Sequence, residues 1–398
     1  MLVNGGTGHL GAALVHQLVA SGVRPSDVRV TYLPGTSTEA LRDLPGVELF
    51  PANVLDRERL AAAFEGVRWA FHVVGNTSFD PFKKRAQWLV NVEGTRNACE
   101  AAARAGVEKL VYTSTVNVLG APDPPGSLGD ENTSPYHSKP KLHSFDSPDE
   151  ALQFADDVAA GRAPRKWWKE VGIGYFDSKL AAQELVERFF REEGLPVLSV
   201  LPGTNFGPYD QFIGNGTYVL RIYQNAMPGY TAGGGLPLTH VCDQAVGHLL
   251  AMTRGRPGER YVVSGREEDN LYLGEAFQVI AEVLREAFPG RKVKTPKRKI
   301  PRRVAWFGAL AYELFSKLTG KPCLLSRDAV RAGSYPSFYS CAKATRELGY
   351  APKRSFREAV RDAVAYYSAH GLLEAKGRAI DALGERQLLG ESPPPPER

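Results

Sequence analysis

The sequence predicts an α/β fold built on a doubly wound parallel sheet. Two observations carry this. Short apolar runs alternate with amphipathic helical patterns from Met1 to about Leu201, the rhythm of parallel strands covered by helices on both faces. A glycine triplet, Gly5-x-x-Gly8-x-x-Gly11, stands between the first apolar run and the first helical pattern. Beyond residue 203 the rhythm loosens, which predicts a smaller α/β part interleaved with the first.

Each element has its own warrant. Val3 leads into the glycine loop, and Leu10, Leu14 and Leu18 then repeat every four residues up to a stop at Gly22. Strands are expected at Val28–Leu33, Gly46–Pro51, Trp69–Val74, Lys109–Thr113, Pro196–Leu201 and Arg260–Ser264. Helices are expected at Asp56–Phe64, Gln87–Ala105, Gly174–Glu193, Val241–Arg254, Leu271–Phe288 and Ser355–His370. Only Met1-Leu2-Val3 stand where a full first strand is expected, so that strand is short or the true start lies upstream. These boundaries give a dinucleotide-binding part at 1–202, a substrate-binding part at 203–372 and a disordered tail at 373–398, where Pro393–Pro396 lie.

Composition narrows the class. The 398 residues are 43% hydrophobic and 23% charged, enough for two domains or one large one. The net charge of +5 is spread along the chain apart from a basic run at Arg291–Arg303, so no general nucleic-acid surface is implied. Cys99, Cys242, Cys323 and Cys341 are scattered without a Cys-x-x-Cys pair. They read as reduced thiols of a cytoplasmic protein without a metal site. No signal peptide and no apolar run of about 20 residues is visible.

The glycine triplet lets the backbone turn tightly and approach a pyrophosphate at a helix N-terminus. Gly5, Thr7, Gly8, His9, Leu10 and Gly11 are therefore the expected dinucleotide cradle, with His9 equally suited to a phosphate contact or to the helix surface. The acidic residue that ends the second strand in NAD-selective sites is missing from Val30-Thr31-Tyr32-Leu33. Thr36, Ser37 and Thr38 follow, and the balance favours NADP over NAD slightly. Further on, Tyr112-Thr113-Ser114-Thr115 places hydroxyls at the carboxyl end of a strand, where such sheets bind ligands. Tyr175 and Lys179 lie one helical turn apart on one face. An ammonium about 4 Å from a phenol acts with about 4 kcal/mol at an effective dielectric of about 20, enough to lower its pKa. Alone, each of these patterns is weak.

Together, in order, they resemble the extended short-chain dehydrogenase/reductases with their Rossmann-type nucleotide-binding half. The resemblance rests on Gly5-x-x-Gly8-x-x-Gly11, Asn91-Val92-Glu93-Gly94-Thr95, Ser114-Thr115, Tyr175-x-x-x-Lys179, Pro202-Gly203-x-x-x-Gly207-Pro208 and Thr239-His240-Val241-Cys242-Asp243-Gln244-Ala245, and covers about residues 1–372. It implies that Tyr175 is the general acid/base and that Lys179 binds the nicotinamide ribose and lowers the tyrosine pKa. Thr115 would hold the substrate oxygen, with Ser114 a lesser substitute. Asn53 and Val54 would lie near the adenine. His72–Gly75, including Val74 and Gly75, would line the cofactor cleft, and Pro202, Gly203 and Thr204 would pass beside the nicotinamide. Asn91 would fix backbone rather than do chemistry.

Within the family, Val116-Asn117 replaces the Asp-Glu of sugar-nucleotide 4,6-dehydratases, and Gly235-Leu236-Pro237-Leu238 lacks the arginine of the epimerases. Tyr112-Thr113-Ser114, the glycine run before His240 and Tyr339-Ser340-Cys341-Ala342-Lys343-Ala344 resemble instead the branch of 3β-hydroxysteroid dehydrogenases and dihydroflavonol 4-reductases. The implied function is an NAD(P)-dependent oxidoreductase of a hydrophobic, cyclic, sterol- or flavonoid-like substrate. Two other readings stand beside it: a sugar-nucleotide epimerase with transient hydride transfer, and a non-catalytic dinucleotide sensor. A homodimer through helices such as Gln87–Ala105 and Gly174–Glu193 is common in the family.

Two stretches depart from the pattern. Residues 121–172 form an insertion rich in Pro, Ser and Asp, with a short helix at Asp149–Ala160; its Trp167-Trp168, flanked by Lys166 and Lys169, could serve as a lid or as a surface excursion. Pro301–Leu318 is unusually apolar with basic ends. It reads either as a helix covering the substrate part or as an interfacial helix in peripheral contact with a membrane.

Overall fold

A computed structural model describes residues 1–162, 173–321, 323 and 325–374. Trp167-Trp168 with their flanking lysines, and the tail from 375 on, lie outside the described residues.

Seven parallel strands form the main sheet. They are β1 (Leu2–Asn4), β2 (Arg29–Tyr32), β3 (Glu48–Pro51), β4 (Trp69–His72), β5 (Lys109–Thr113), β6 (Val197–Pro202) and, after three strands that lie outside this sheet, β10 (Arg260–Val263). Their order is β10-β6-β5-β4-β1-β2-β3. β1 pairs with β2 on one side and with β4 on the other, in register Val3↔Val30 and Val3↔Phe71. The chain direction therefore switches at β1, which opens a crevice at the carboxyl ends of β1 and β4.

Strand alternation divides the core. Leu2, Leu110, Tyr112, Val197 and Leu201 face one side. There they meet α2 (Arg57–Phe64), α4 (Gly94–Ala105), α5 (Pro148–Ala159) and α6 (Gly174–Glu193) through Phe64, Ala98, Ala155 and Leu185. Val3, Val111, Leu198 and Val200 face the other side. They meet α1 (His9–Ala20), α8 (Val241–Arg254) and α12 (Ala342–Leu348) through Leu14, Leu18, Met252 and Leu348. A third core has its own small sheet, β11 (Asn270–Tyr272), β9 (Gly235–His240) and β7 (Thr204–Phe206). It is covered by α7 (Thr217–Tyr223), α9 (Leu273–Ala287) and α13 (Phe356–Ala369) through Phe206, Phe277, Val360 and Tyr367. Strand β10 and helix α8 return from this part to the main sheet, so the two parts interleave. A short pair, β8 (Tyr230–Thr231) and β12 (Lys299–Ile300), leads to α10 (Arg302–Thr319) and α11 (Arg327–Ala332).

The structure differs from the sequence expectation in two instructive places. The helix expected at Gln87–Ala105 begins earlier, as α3 (Lys84–Trp88), and passes through a π-turn at Leu89–Glu93 before α4. Such turns gather at functional sites, and this one carries Asn91. The helix expected from Leu271 begins at Leu273, because Asn270–Tyr272 are taken by the antiparallel pairing with Gly235–Pro237. The Tyr272 amide then donates to the Glu275 carboxylate at 2.9 Å, which caps the helix.

The insertion's helix α5 covers the outer face of α4 and α6. Asp156 on α5 bridges Arg96 of α4 at 2.9 Å and Arg188 of α6 at 3.0 Å, and Phe154 packs edge-on against Trp88. The insertion thus packs against both of the helices named above for a dimer contact.

Candidate active site

The glycine loop is built as a phosphate cradle. Gly5 has a left-handed backbone, φ +90°. A Cβ at Gly11 would stand 2.2 Å from the Gly5 carbonyl, so only glycine lets α1 start this close to the loop. Gly8 caps α1 with no side-chain hydrogen bond, and no acidic residue occupies the first turn. A Cβ at Gly8 would meet no atom of another segment closer than the Gly5 carbonyl at 3.5 Å. The first amides of α1 thus stand at the positive end of a helix that no side chain caps, an arrangement suited to a dinucleotide pyrophosphate. The His9 ring lies by the Gly207–Pro208 backbone, with its Nε2 buried. Gln211, which the sequence did not single out, donates to the carbonyls of Thr7 at 2.8 Å and Ser37 at 3.1 Å. It ties the cradle to the loop after β2.

A buried hydrogen-bond chain runs from the cradle to α4. The Gly5 amide donates to Thr31 Oγ1 at 3.0 Å, and that hydroxyl donates to Asn4 Oδ1 at 2.6 Å. The Asn4 amide must then donate to His72 Nδ1, at 2.9 Å, which puts the His72 proton on Nε2 facing Thr95 Oγ1 at 3.3 Å. Thr95 in turn donates to the Asn91 carbonyl at 2.6 Å. Burial, with the Lys179 charge nearby, pushes the His72 pKa down to about 3, so this imidazole stays neutral. The Asn91 side chain accepts from the Asn76 amide at 2.7 Å and donates to Asn76 O and Ser178 Oγ, both at 3.0 Å. It pins the loop that carries Val74 and Gly75 onto helix α6, a scaffold role. Val74 itself presses on Gly5, at 2.8 Å from where a Cβ would be.

Thr115, Tyr175 and Lys179 converge at the carboxyl end of β5. Helix α6 is fixed there by the Gly174 amide on Asp328 at 3.1 Å and by Asp177, which takes the Ser144 amide at 2.8 Å and hydroxyl at 2.7 Å. Lys179 is buried, and its Nζ donates to Tyr112 Oη at 2.9 Å and to the Thr113 carbonyl at 2.8 Å. Burial pushes its pKa down to about 7. The Tyr175 pKa is pushed up to about 12 by burial, and the neighbouring Thr115 hydroxyl draws it partly back. The expected lowering of the tyrosine pKa by Lys179 is therefore not how the protein alone holds it: the ammonium is turned toward Tyr112 and Thr113, and Thr115 is the group that favours phenolate.

The walls around Tyr175 are apolar. Ala121, Leu142, Ile173 and Phe176 form a buried cluster, joined by Phe79, Ala332 and Tyr335. Phe79 meets the Tyr175 ring edge-on at 5.9 Å between centroids. Ala121 and Leu142 come from the insertion, so it does reach the site, by residues other than its tryptophans. The cations at the edge are engaged: Lys84 pairs with Asp328 at 3.2 Å, Arg331 donates to the Lys141 carbonyl, and Arg302 lies over Tyr335 at 4.9 Å.

The remaining expected residues have the following partners. Asn53 Oδ1 accepts from the Leu55 amide at 3.0 Å, and Val54 holds Asn97 through its carbonyl at 3.0 Å. Ser114 is buried with its hydroxyl unpartnered. Pro202 ends β6 and Thr204 begins β7. Gly203 between them has no room for a side chain, with Pro237 O at 2.6 Å from a Cβ, and its carbonyl takes Gln244 at 2.8 Å. At the end of β2, Thr36 donates to Leu33 O at 2.7 Å and Ser37 Oγ accepts the Glu39 amide at 3.2 Å. Among the described residues, no group of three or more His, Cys, Asp and Glu comes together as a metal site would require.

Comparison with known proteins places this geometry in a class of nicotinamide-dependent enzymes. Residues 2–147 match the 3-beta hydroxysteroid dehydrogenase/isomerase family, and residues 173–264 match the NAD dependent epimerase/dehydratase family. The chain is 28% identical over 379 residues to a Synechocystis sp. protein assigned as a dihydroflavonol 4-reductase, covering 94% of this chain and 96% of that one. It is 24% identical over 386 residues to a Mycobacterium tuberculosis 3 beta-hydroxysteroid dehydrogenase/Delta 5→4-isomerase, covering 92% and 90%. The crystal structure of gox2253 superposes with a TM-score of 0.70 at 32% identity, covering 93% and 98%. The chain belongs to the extended short-chain dehydrogenase/reductase family, enzymes that act on CH–OH groups with a nicotinamide dinucleotide.

Proposed function

We propose that this chain is an NAD(P)-dependent dehydrogenase/reductase of a hydrophobic, cyclic alcohol or ketone of sterol or flavonoid type. The observation that carries the reading is the apolar, aromatic cluster that packs with the Tyr175 side chain, drawn from Phe79, Leu142, Phe176, Ala332 and Tyr335. Such walls bind fused rings by area and leave the polar contacts to the reacting oxygen. The likeness to a 3β-hydroxysteroid dehydrogenase and a dihydroflavonol reductase supports the same substrate class.

The nicotinamide supplies or accepts the hydride. Tyr175 holds the proton at its hydroxyl, giving it to the substrate oxygen in reduction and taking it in oxidation. Thr115 orients that oxygen and steadies the phenolate. Lys179, braced by Tyr112 and Thr113, would bind a ribose hydroxyl. The α1 amides and Gly8 hold the pyrophosphate. Residues 203–372 carry substrate recognition, and Pro202–Thr204 would pass beside a bound nicotinamide. The coenzyme preference stays slightly toward NADP: the end of β2 offers no carboxylate to select a free ribose, while Thr36 and Ser37 stand there with their hydroxyls partly engaged.

The epimerase reading keeps one support, the match at residues 173–264. Against it, the stretch before His240 carries no arginine for a sugar-nucleotide diphosphate. A screen of NADH and NADPH with sterol, flavonoid and sugar-nucleotide panels decides between them. Net coenzyme turnover on a sterol or flavonoid supports the proposal; an isomeric sugar nucleotide formed without net coenzyme change refutes it.

A further inference from the structure

Seven of the large apolar side chains left exposed by the fold lie on one helix or just after it. On α10 these are Val304, Trp306, Phe307, Leu314, Phe315 and Leu318; Leu325 follows. Val304, Phe307, Leu314 and Leu318 repeat at helical spacing along one stripe. Phe307 is 64% exposed and Leu318 is 86% exposed, values unlike those of core-facing positions. The opposite face holds the helix to the protein through Ala309, Ser316 and Glu313, whose buried carboxylate takes the Arg327 amide at 2.7 Å and guanidinium at 2.8 Å. The apolar face is thus a stable outward surface.

The exposed charge on the stretch that leads into this helix has one sign. Between residues 291 and 303 stand eight cations and no acid. Lys292, Lys294, Lys297, Arg298, Lys299, Arg302 and Arg303 are all exposed. Arg302 and Arg303 occupy the first turn of α10, where no acidic residue balances the positive end of the helix. Cations at that end oppose the helix dipole, a local conflict that an anionic surface would relieve. At the other end Lys321 lies over Phe315 at 5.7 Å. No helix among the described residues is long and apolar enough to cross a membrane.

We propose that α10 docks in the plane of an anionic phospholipid surface, with Val304, Phe307, Leu314 and Leu318 among the acyl chains and the 292–303 cations on the headgroups. The same helix borders the candidate active site. Arg302 covers Tyr335, and α11, clamped to α10 by Glu313–Arg327, leads into Ala332 and Tyr335 of the apolar wall. Docking therefore sets the apolar site beside the bilayer, so a membrane-dissolved ring substrate reaches it without crossing water. The lipid docking stands on the α10 surface; only the delivery of substrate rests on the function proposed above.

The full chain is sedimented with phosphatidylcholine vesicles with and without phosphatidylserine. At least about tenfold tighter binding to the anionic vesicles is expected, falling as salt is raised. The variant Phe307→Glu/Leu318→Glu changes only exposed positions; it should keep its circular dichroism and NADPH binding while losing at least about tenfold in vesicle binding. Lys297→Glu/Lys299→Glu should lose the preference for anionic vesicles. Equal vesicle binding by wild type and Phe307→Glu/Leu318→Glu overturns the proposal. So does a wild-type dimer in sedimentation velocity that this variant dissolves, with no vesicle binding, because the stripe would then belong to a second copy. Turnover of a water-soluble ketone, measured without vesicles, reports the catalytic reading separately.

Discussion

Lys179 Nζ donates to the hydroxyl of Tyr112 at 2.9 Å, from helix α6 down to strand β5. The Thr113 carbonyl is its second acceptor at 2.8 Å. The ammonium is aimed by the strand beneath it, and its direction does not depend on Tyr175. Tyr112→Phe keeps the ring in the core and removes one acceptor. The coenzyme KM should rise about tenfold, the loss of a hydrogen bond to a charged group, with a smaller fall in kcat. An unchanged coenzyme KM would show that Tyr112 is packing alone.

Stability should depend on pH through Lys179. Its pKa of about 7 in the fold lies below the ordinary lysine value of about 10.4. Between these values the unfolded chain binds more protons, so unfolding free energy rises with pH. The window to watch runs from about pH 7 to about pH 8.5. Above it the thiols of Cys242 and Cys323, pushed up to about 11 by burial, work in the opposite direction. Urea midpoints of the wild type should climb across this window by an amount on the order of 2 kcal/mol, and Lys179→Met should be nearly flat. Parallel slopes in the two proteins would contradict the assignment.

Tyr175→Phe removes the proposed proton donor and keeps the ring in the apolar cluster. Turnover should fall by roughly a hundred- to ten-thousand-fold while coenzyme affinity and melting temperature stay near wild type. Thr115→Val should also slow turnover, and it should move the alkaline limb of the rate profile upward, since Thr115 is the group that favours the phenolate.

Gly11→Ala places a methyl about where the Gly5 carbonyl stands. The loop must open, so coenzyme binding should be lost by at least tenfold, with a stability loss of about 1–3 kcal/mol. Fluorescence titration with NADPH checks the first and urea unfolding the second.

Asn91→Ala releases the 73–76 loop and leaves the Asn76 amide without its acceptor. A loss of about 1–3 kcal/mol in stability is expected, together with weaker coenzyme binding, because Val74 and Gly75 would no longer be held against the cradle. Intact binding would confine Asn91 to folding.

The sequence made much of this legible because the relevant signals were local. The glycine loop, the strand-end hydroxyls and the Tyr175–Lys179 turn are each set by a few neighbouring residues, and the fold brings them to one crevice. What it concealed was long-range. Tyr112 sits two places from Ser114, and strand alternation could have turned it toward α6, yet its partner is 67 residues away. Gln211 meets Thr7 across 204 residues and has no pattern of its own. The π-turn at Leu89–Glu93 reads as ordinary helix because its cause, Asn91 reaching Asn76 and Ser178, is tertiary. The apolar wall draws on Phe79, Leu142 and Tyr335 from three separate stretches, and no period links them.

The central claim is net hydride transfer to a hydrophobic ketone with Tyr175 as proton donor. The most direct measurement is a single turnover with nicotinamide coenzyme deuterated at the transferring carbon and a sterol or flavonoid ketone, read by mass spectrometry. The account predicts one deuterium on the new carbinol carbon for each coenzyme oxidised, and the same product formed roughly a hundred- to ten-thousand-fold more slowly with Tyr175→Phe. Product formed with the coenzyme returned unchanged, or an equally active Tyr175→Phe, would contradict it.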